Sequence, residues 1–211
     1  MQGKWKYALT LFILALAAVS MPGLCASRER SDTVAPATHH RRPVMSAGFN
    51  VAPLTVLNLS ANLELHVNPR LSLHLPVTAG WLDFFSRRTK FQQFTLQPGM
   101  RAYLTRNDLN SLLAGAHFGL SWYSFAFGGD SGYIDHKNNH PAWGFGLSIG
   151  WRHRFKRDPR WFVEAEVGAG WYHVNYDVYD NMTGGKLRYT RRHGWWGLDR
   201  LSLTIGYTFH L

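Results

Sequence analysis

From about residue 56 to the C-terminus, apolar and polar residues alternate with period two in one segment after another. Such alternation is the mark of strands with one apolar and one polar face. After Val56, residues Leu57, Leu59, Ala61, Leu63, Leu65 and Val67 share a face, against Asn58, Ser60, Asn62, Glu64 and His66. Asn68 to Arg70 reads as a tight turn, and Leu71, Leu73, Leu75, Val77, Ala79 and Trp81 resume the apolar face. The same pattern recurs over 94–104, 112–122, 143–151, 161–171 and 201–209.

A soluble sandwich also alternates, so other features must decide. The apolar faces stay nearly free of polar residues for about ten positions, the length a tilted membrane strand needs. Aromatic residues mark both ends of those faces: Trp143 with Trp151, and Trp161 with Trp171. At about 3.3 Å per residue and a tilt near 40°, those spacings cover roughly 20–25 Å, the height of an apolar band between two aromatic girdles. The opposite faces carry Gly, Ser, Thr, Asn and single charges, which suits a narrow lumen and not a sandwich core. A mean hydropathy of −0.22 argues against a bundle of membrane helices and leaves membrane strands open. One cysteine, Cys25, excludes an internal disulfide framework and a cysteine-based zinc site.

Connections alternate in length as well. Short ones are expected at Asn68–Arg70, Thr105–Leu109 and Lys156–Arg160, and long ones at Leu82–Phe91, Gly128–Pro141 and Asp177–Arg200. Short periplasmic turns and long outer loops fit an outer-membrane protein. If the last strand descends to the periplasm, the strand from Val56 also descends, and Met45–Leu54 must supply an earlier ascending strand despite Pro53. The expected fold is therefore all-β: an eight-stranded antiparallel up-and-down transmembrane β-barrel over residues 45–211. Before it, Lys4 and Lys6 followed by the apolar run Ala8–Val19 predict a signal peptide over 1–25. Residues 26–44 are polar, lack apolar periodicity and read as a flexible periplasmic leader. Lipidation of Cys25 is the less favoured alternative, because Pro22, Gly23 and Leu24 lack the small residue wanted just before a lipidated cysteine.

The NLSANLELHV run, the QPGMRAYL, HFGLSWY and AWGFGLSIGWRHRF strands, and above all the RWFVEAEVGAGWYHVNYD block resemble a domain-of-unknown-function family of small outer-membrane barrels from Bacteroidetes. The resemblance covers roughly residues 47–211. It implies a cell-envelope role and, because such genes often lie beside fimbrial ones, surface or fimbrial partners; it carries over no catalytic residue. The chain departs from the family in its outer loops and in ending Phe209, His210, Leu211.

The inward charges expected to form a lumen network are Glu64, His66, Arg101, Arg152, Glu164 and Glu166. A regular hairpin around Lys156–Arg160 would set Arg152 opposite Glu164, and a plug is favoured over a catalytic dyad there. The loop residues Arg87, Arg88, Lys90, Arg188, Arg191 and Arg192 are candidates for contact with lipopolysaccharide phosphates. The formal charge of +10 is spread over loops and leader, and secretion removes nucleic acid as a partner. Ser121, Ser124 and Ser131 with His136, His140 and His173 show no diagnostic spacing for a lipid A-modifying enzyme. The reading is an outer-membrane barrel with a structural or interaction role in the cell envelope and no cofactor, metal or catalytic residue. A lipid A-modifying enzyme or a narrow conduit is the alternative.

Overall fold

The computed structural model describes residues 44–210 except 82, 87–88, 107–108, 138 and 183. The expected signal peptide, the leader through residue 43, and Arg87 and Arg88 lie outside the described residues. The strands are β1 (Val44–Asn50), β2 (Leu59–His66), β3 (Leu71–Gly80), β4 (Asp83–Ser86), β5 (Thr89–Leu96), β6 (Gly99–Arg106), β7 (Asn110–Phe127), β8 (Ser131–Asp135), β9 (Ala142–Arg154), β10 (Trp161–Asp180) and β11 (Leu187–His210). Every pairing is antiparallel, and β1 pairs with both β2 and β11, so the sheet closes on itself. β4 continues β3, β6 continues β5 across Gln97–Pro98, and β8 and β9 share one place between β7 and β10. The ring therefore has eight wall positions in sequence order.

Its stagger can be read from the ladder. The path Val163, Ile205, Phe49, Ala61, Val77, Leu96, Leu120, Trp143 returns to β10 at His173, ten residues above its start. Eight strands with that stagger tilt by about 40° and enclose a ring of about 8 Å radius, narrow enough for side chains to fill. On this geometry each step around the wall climbs about 3 Å and each residue along a strand about 2.5 Å. Trp81, Phe94, Trp122, Trp143, Trp171 and Trp196, from six successive wall positions, then fall within about 4 Å of one level. The rings of Phe94 and Trp122 lie 5.8 Å apart, those of Trp143 and Trp171 5.9 Å, and Trp171 pairs across to Trp196. About 25 Å lower stand Trp151, Trp161, Tyr207 and Phe209, with Trp161 and Tyr207 at 5.2 Å. Between the two levels the outer surface is apolar and uncovered: Leu147 is 70%, Leu201 65% and Leu203 50% exposed.

The interior inverts the usual order. Asn58, Ser60, Glu64, Ser72, Arg101, Arg152, Glu164 and Thr204 are buried, each at 3% exposure or less. Leu113 and Phe162 are buried among them, as are the rings of Tyr103 and Tyr172.

Two expectations are corrected, and one irregularity is added. The first strand ends at Asn50, not Leu54, because the Asn50 side-chain carbonyl accepts the N–H groups of Ala52 and Leu203 and breaks the ladder; Pro53 sits in a 3-10 turn over Ala52–Val56. The long connections are largely sheet: β4 and β5 occupy most of 82–91, β8 falls within 128–141, and β10 and β11 pair until Tyr179 meets Leu187. Both faces of those extensions mix polar and aromatic residues with scattered aliphatic ones, so period-two contrast is lost while backbone pairing persists. Lastly, alternation changes phase at Asp199. Gly168 pairs with Arg200 and Ala169 with Leu198, leaving Asp199 as an extra residue. Such a bulge turns two consecutive side chains, Asp199 and Arg200, into the ring.

Deleting Asp199 would restore strict alternation with Trp196 and Leu198 still outward and Arg200 inward, at the cost of the Asp199–His117 contact. The expected outcome is a cooperative thermal transition in circular dichroism of the detergent-folded chain, retained with a lower midpoint. Loss of the transition would overturn this placement of the bulge.

Candidate functional site

The lower half of the lumen is filled by paired charges. Glu64 comes from β2, Arg101 from β6, Arg152 from β9, Glu164 and Glu166 from β10, and Arg200 from β11. Arg152 faces Glu164 across the ladder in the register expected of that hairpin. Its Nε donates to Glu164 Oε2 at 2.7 Å, and its Nη2 also reaches Glu64. Arg101 lies 3.1 Å from Glu164 Oε1 and pairs with Glu166, whose other oxygen accepts from Arg200 Nη1 at 3.0 Å. Three arginines thus meet three glutamates in one connected lattice, and no net charge is left among these six groups. Tyr103 donates its hydroxyl to Glu64 at 2.7 Å, and the Arg152 guanidinium lies 4.1 Å over the Phe162 ring. His66 is at the margin, 3.9 Å from Glu64 and 5.5 Å from the Tyr103 ring. The space remaining among Glu64, His74, Arg101, Arg152 and Glu164 is about 10 Å³. That is barely room for one water.

Above this plug the lumen opens into a cavity of about 610 Å³. Its lining includes Glu166, Arg200 and His74, then Gln97, Thr95 and Ser121, with Tyr123, Phe125, Tyr172 and Trp195. His74 is buried with no hydrogen-bond partner at either ring nitrogen. Glycines make room for the larger groups. A Cβ at Gly119 or Gly144 would strike the Tyr172 ring, and one at Gly146 or Gly170 would strike the Asp199 carboxylate, which holds His117 Nε2 at 2.7 Å.

All six lumen residues singled out in the sequence lie within or beside this lattice. Arg200 and Asp199 were not singled out, because they fall in a segment that reads as loop. The spacing Trp196, Leu198, Leu201, Leu203, with one gap of three, was the available signal. The basic candidates do not gather at one place. Arg188, Arg191 and Arg192 are on strand β11, not in a loop, and Lys90 is on β5. Arg188 is engaged by Asp180 and by Ser131 Oγ. Ser121 bonds Thr95 inside the ring at 2.8 Å, whereas His173 lies against Trp143 outside it, so the wall separates that pair.

In the outer extension, Asp177 accepts from Thr190 Oγ1 at 2.6 Å and from the Lys137 N–H at 3.0 Å, and lies 2.7 Å from His136 Nδ1. Burial pushes its carboxyl up, but these hydrogen bonds outweigh burial and hold it below the ordinary aspartate value of 3.8. A depressed carboxylate stabilises the fold above its unfolded value and loses that contribution as pH falls through the folded one. The outer part of the β10–β11 hairpin should therefore exchange amide hydrogens faster as pH drops below about 4, after correction for intrinsic rates. Asp177→Asn should flatten that dependence; a profile identical to wild type would contradict it.

The lattice makes its own prediction. Arg152→Met removes the guanidinium that Glu64 and Glu164 share and should cost about 3–5 kcal/mol in urea unfolding of the detergent-folded chain. Adding Glu164→Leu should recover part of that loss, and a double variant as unstable as the sum of the singles would exclude coupling.

A solved structure with limited similarity to this chain is that of Neisserial surface protein A. It has 14% identity and a TM-score of 0.41, and the match covers 81% of this chain and 95% of that one. No curated protein matches. Residues 34–209 match the family described as protein of unknown function DUF3575, and the chain belongs to that family.

Proposed function

We propose that the protein is an outer-membrane β-barrel with a closed lumen and a structural or interaction role in the cell envelope. The observation that carries this reading is the outer surface of the ring. Large apolar side chains are uncovered between two aromatic levels about 25 Å apart, while arginines and glutamates are buried inside. A chain folding in water would gain by the opposite arrangement. In lipid the exposed leucines and phenylalanines are solvated by acyl chains, and pairing of β1 with β11 closes the lower part of the ring.

The plug favours presentation over transport. Space of about 10 Å³ within the arginine–glutamate lattice gives hydrated ions no continuous path. The cavity and the strand extensions stand on the other side of that lattice, so the periplasmic half closes the wall and the outer half offers a surface. The enzyme alternative gains no support from Ser121 and His173, which lie on opposite faces of the wall.

The test is gel mobility of the outer-membrane fraction, boiled against unboiled. A folded barrel migrates differently before boiling; a soluble periplasmic protein with no shift would end the reading. Leu203→Arg, at the middle of the apolar belt, should reduce folding into vesicles by about 2–4 kcal/mol. The same substitution would be nearly neutral if that face met water.

A further inference from the structure

We propose that the outer stretch of β11 is a docking edge for an extended acidic segment of a partner protein, which adds to it as one more strand. The inference rests on the membrane reading above, since it needs this end of the ring to stand in water. β10 covers one edge of β11 as far as Leu187. β1 covers the other edge only from His210 to Thr204, with one further bond from the Val51 N–H to the Leu203 carbonyl. Among the described residues no strand pairs with that second edge from Leu187 to Ser202.

The direction of its backbone groups follows from the ladder. The Thr208 N–H bonds the Arg160 carbonyl on the β10 side, and above the Asp199 bulge Gly170 meets Gly197. Alternate residues of a strand point to opposite edges. Thr190, Arg192, Gly194 and Trp196 therefore turn their N–H and C=O groups to the uncovered edge. Every residue from Lys186 to Trp196 is exposed, as expected of a strand with no neighbour beyond one edge. Arg191 pairs with Tyr176, five residues above Trp171, which sets it about 12 Å outside the upper aromatic level.

The charge on this edge selects the partner. Lys186, Arg188, Arg191, Arg192 and His193 lie along it. Asp180 engages Arg188, and Asp177 is occupied by His136, Thr190 and the Lys137 N–H. Arg191 and Arg192 have no carboxylate partner among the described residues. Charged residues on a free edge ordinarily deter indiscriminate strand addition. Against a second copy they do so here, because edge-to-edge pairing would bring arginine to arginine. Against an acidic strand the same charges attract, while the free backbone groups supply the affinity. His193 and Trp195 also line the lumen cavity, so an added strand would stand beside its mouth.

The experiment uses the full chain folded in detergent and two fluorescent peptides, one alternating Glu and Val and the other Lys and Val. Binding is read by anisotropy, with the boiled-against-unboiled gel shift as the control for folding. The Glu–Val peptide should bind and the Lys–Val peptide should not. Arg192→Val removes a charge but keeps the N–H, and should weaken binding by about threefold to tenfold. Arg192→Pro removes the N–H as well and should weaken it by a further tenfold or so, with the gel shift intact. Equal binding by the two variants would reduce the effect to charge attraction and overturn strand addition. Displacement of the peptide by lipopolysaccharide micelles, with Arg192→Pro micelle binding equal to that of Arg192→Val, would assign the edge to lipid phosphate instead. A concentration-dependent dimer that excludes the peptide would assign it to a second copy. A wild-type chain with no gel shift would overturn the barrel reading itself.

Discussion

Closure of an eight-strand sheet with a stagger of ten residues is the constraint on which the rest of the molecule depends. Once β1 pairs with β11, strand tilt and ring radius follow from strand number and stagger, and the interior is left about one side chain deep from each wall. An interior that small cannot hold two opposed layers of large residues. Glycines therefore lie opposite bulky groups: Gly119 and Gly144 beneath Tyr172, Gly146 and Gly170 around Asp199. The same tilt brings aromatic residues from six successive strands to one level although they are scattered in sequence.

Polar residues inside a closed ring must satisfy one another, since the wall excludes bulk water from the lower lumen. This is the physical origin of the lattice among Glu64, Arg101, Arg152, Glu164, Glu166 and Arg200. Each carboxylate meets two guanidinium groups, Glu64 accepts from the Tyr103 and Ser72 hydroxyls as well, and the formal charges of the six cancel. Burying a pair of ions is seldom a net gain in stability, but stranding one member is costly. The lattice therefore acts as a register lock, because a strand slipped by one residue would turn its charge into the apolar belt. The plug and the correct register of the ring are the same set of contacts.

Most of the fold was legible because the apolar belt imposes strict alternation wherever the wall meets it. The faces of β2, β3, β6, β9 and the lower parts of β7, β10 and β11 could be assigned from spacing alone, and the turn around Lys156–Arg160 sufficed to set Arg152 against Glu164. Legibility ended where that selection ends. Above the upper aromatic level, Tyr172–Asp180 and Leu187–Gly194 leave the belt, and buried Asn175 and Asp177 share the β10 stretch with buried Val178, so neither face needs to be apolar throughout. Their pairing is carried by backbone groups that leave no period in the side chains. Arg200 was lost for a related reason: the extra residue at Asp199 breaks the phase just where the belt begins, and a broken phase looks like a loop.

The wall is uneven in height, and the unevenness has a cause in sequence. β1 stops where Asn50 takes the Ala52 and Leu203 N–H groups on one carbonyl, and Pro53 has no N–H to continue the ladder. β2 begins only at Leu59, so the chain spends 51–58 turning at the height where its neighbours keep climbing. β11 thus rises past its partner and stands alone on one edge. Inside the belt the 3-10 turn lies against the lower part of that edge; above it, water can satisfy the free groups. On the membrane reading proposed above, an edge open beyond the belt costs little, and within it the 3-10 turn stands beside the lower part of the edge. The sheet thus combines a ring closed where β1 meets β11 with a β11 edge that rises unpaired past that closure.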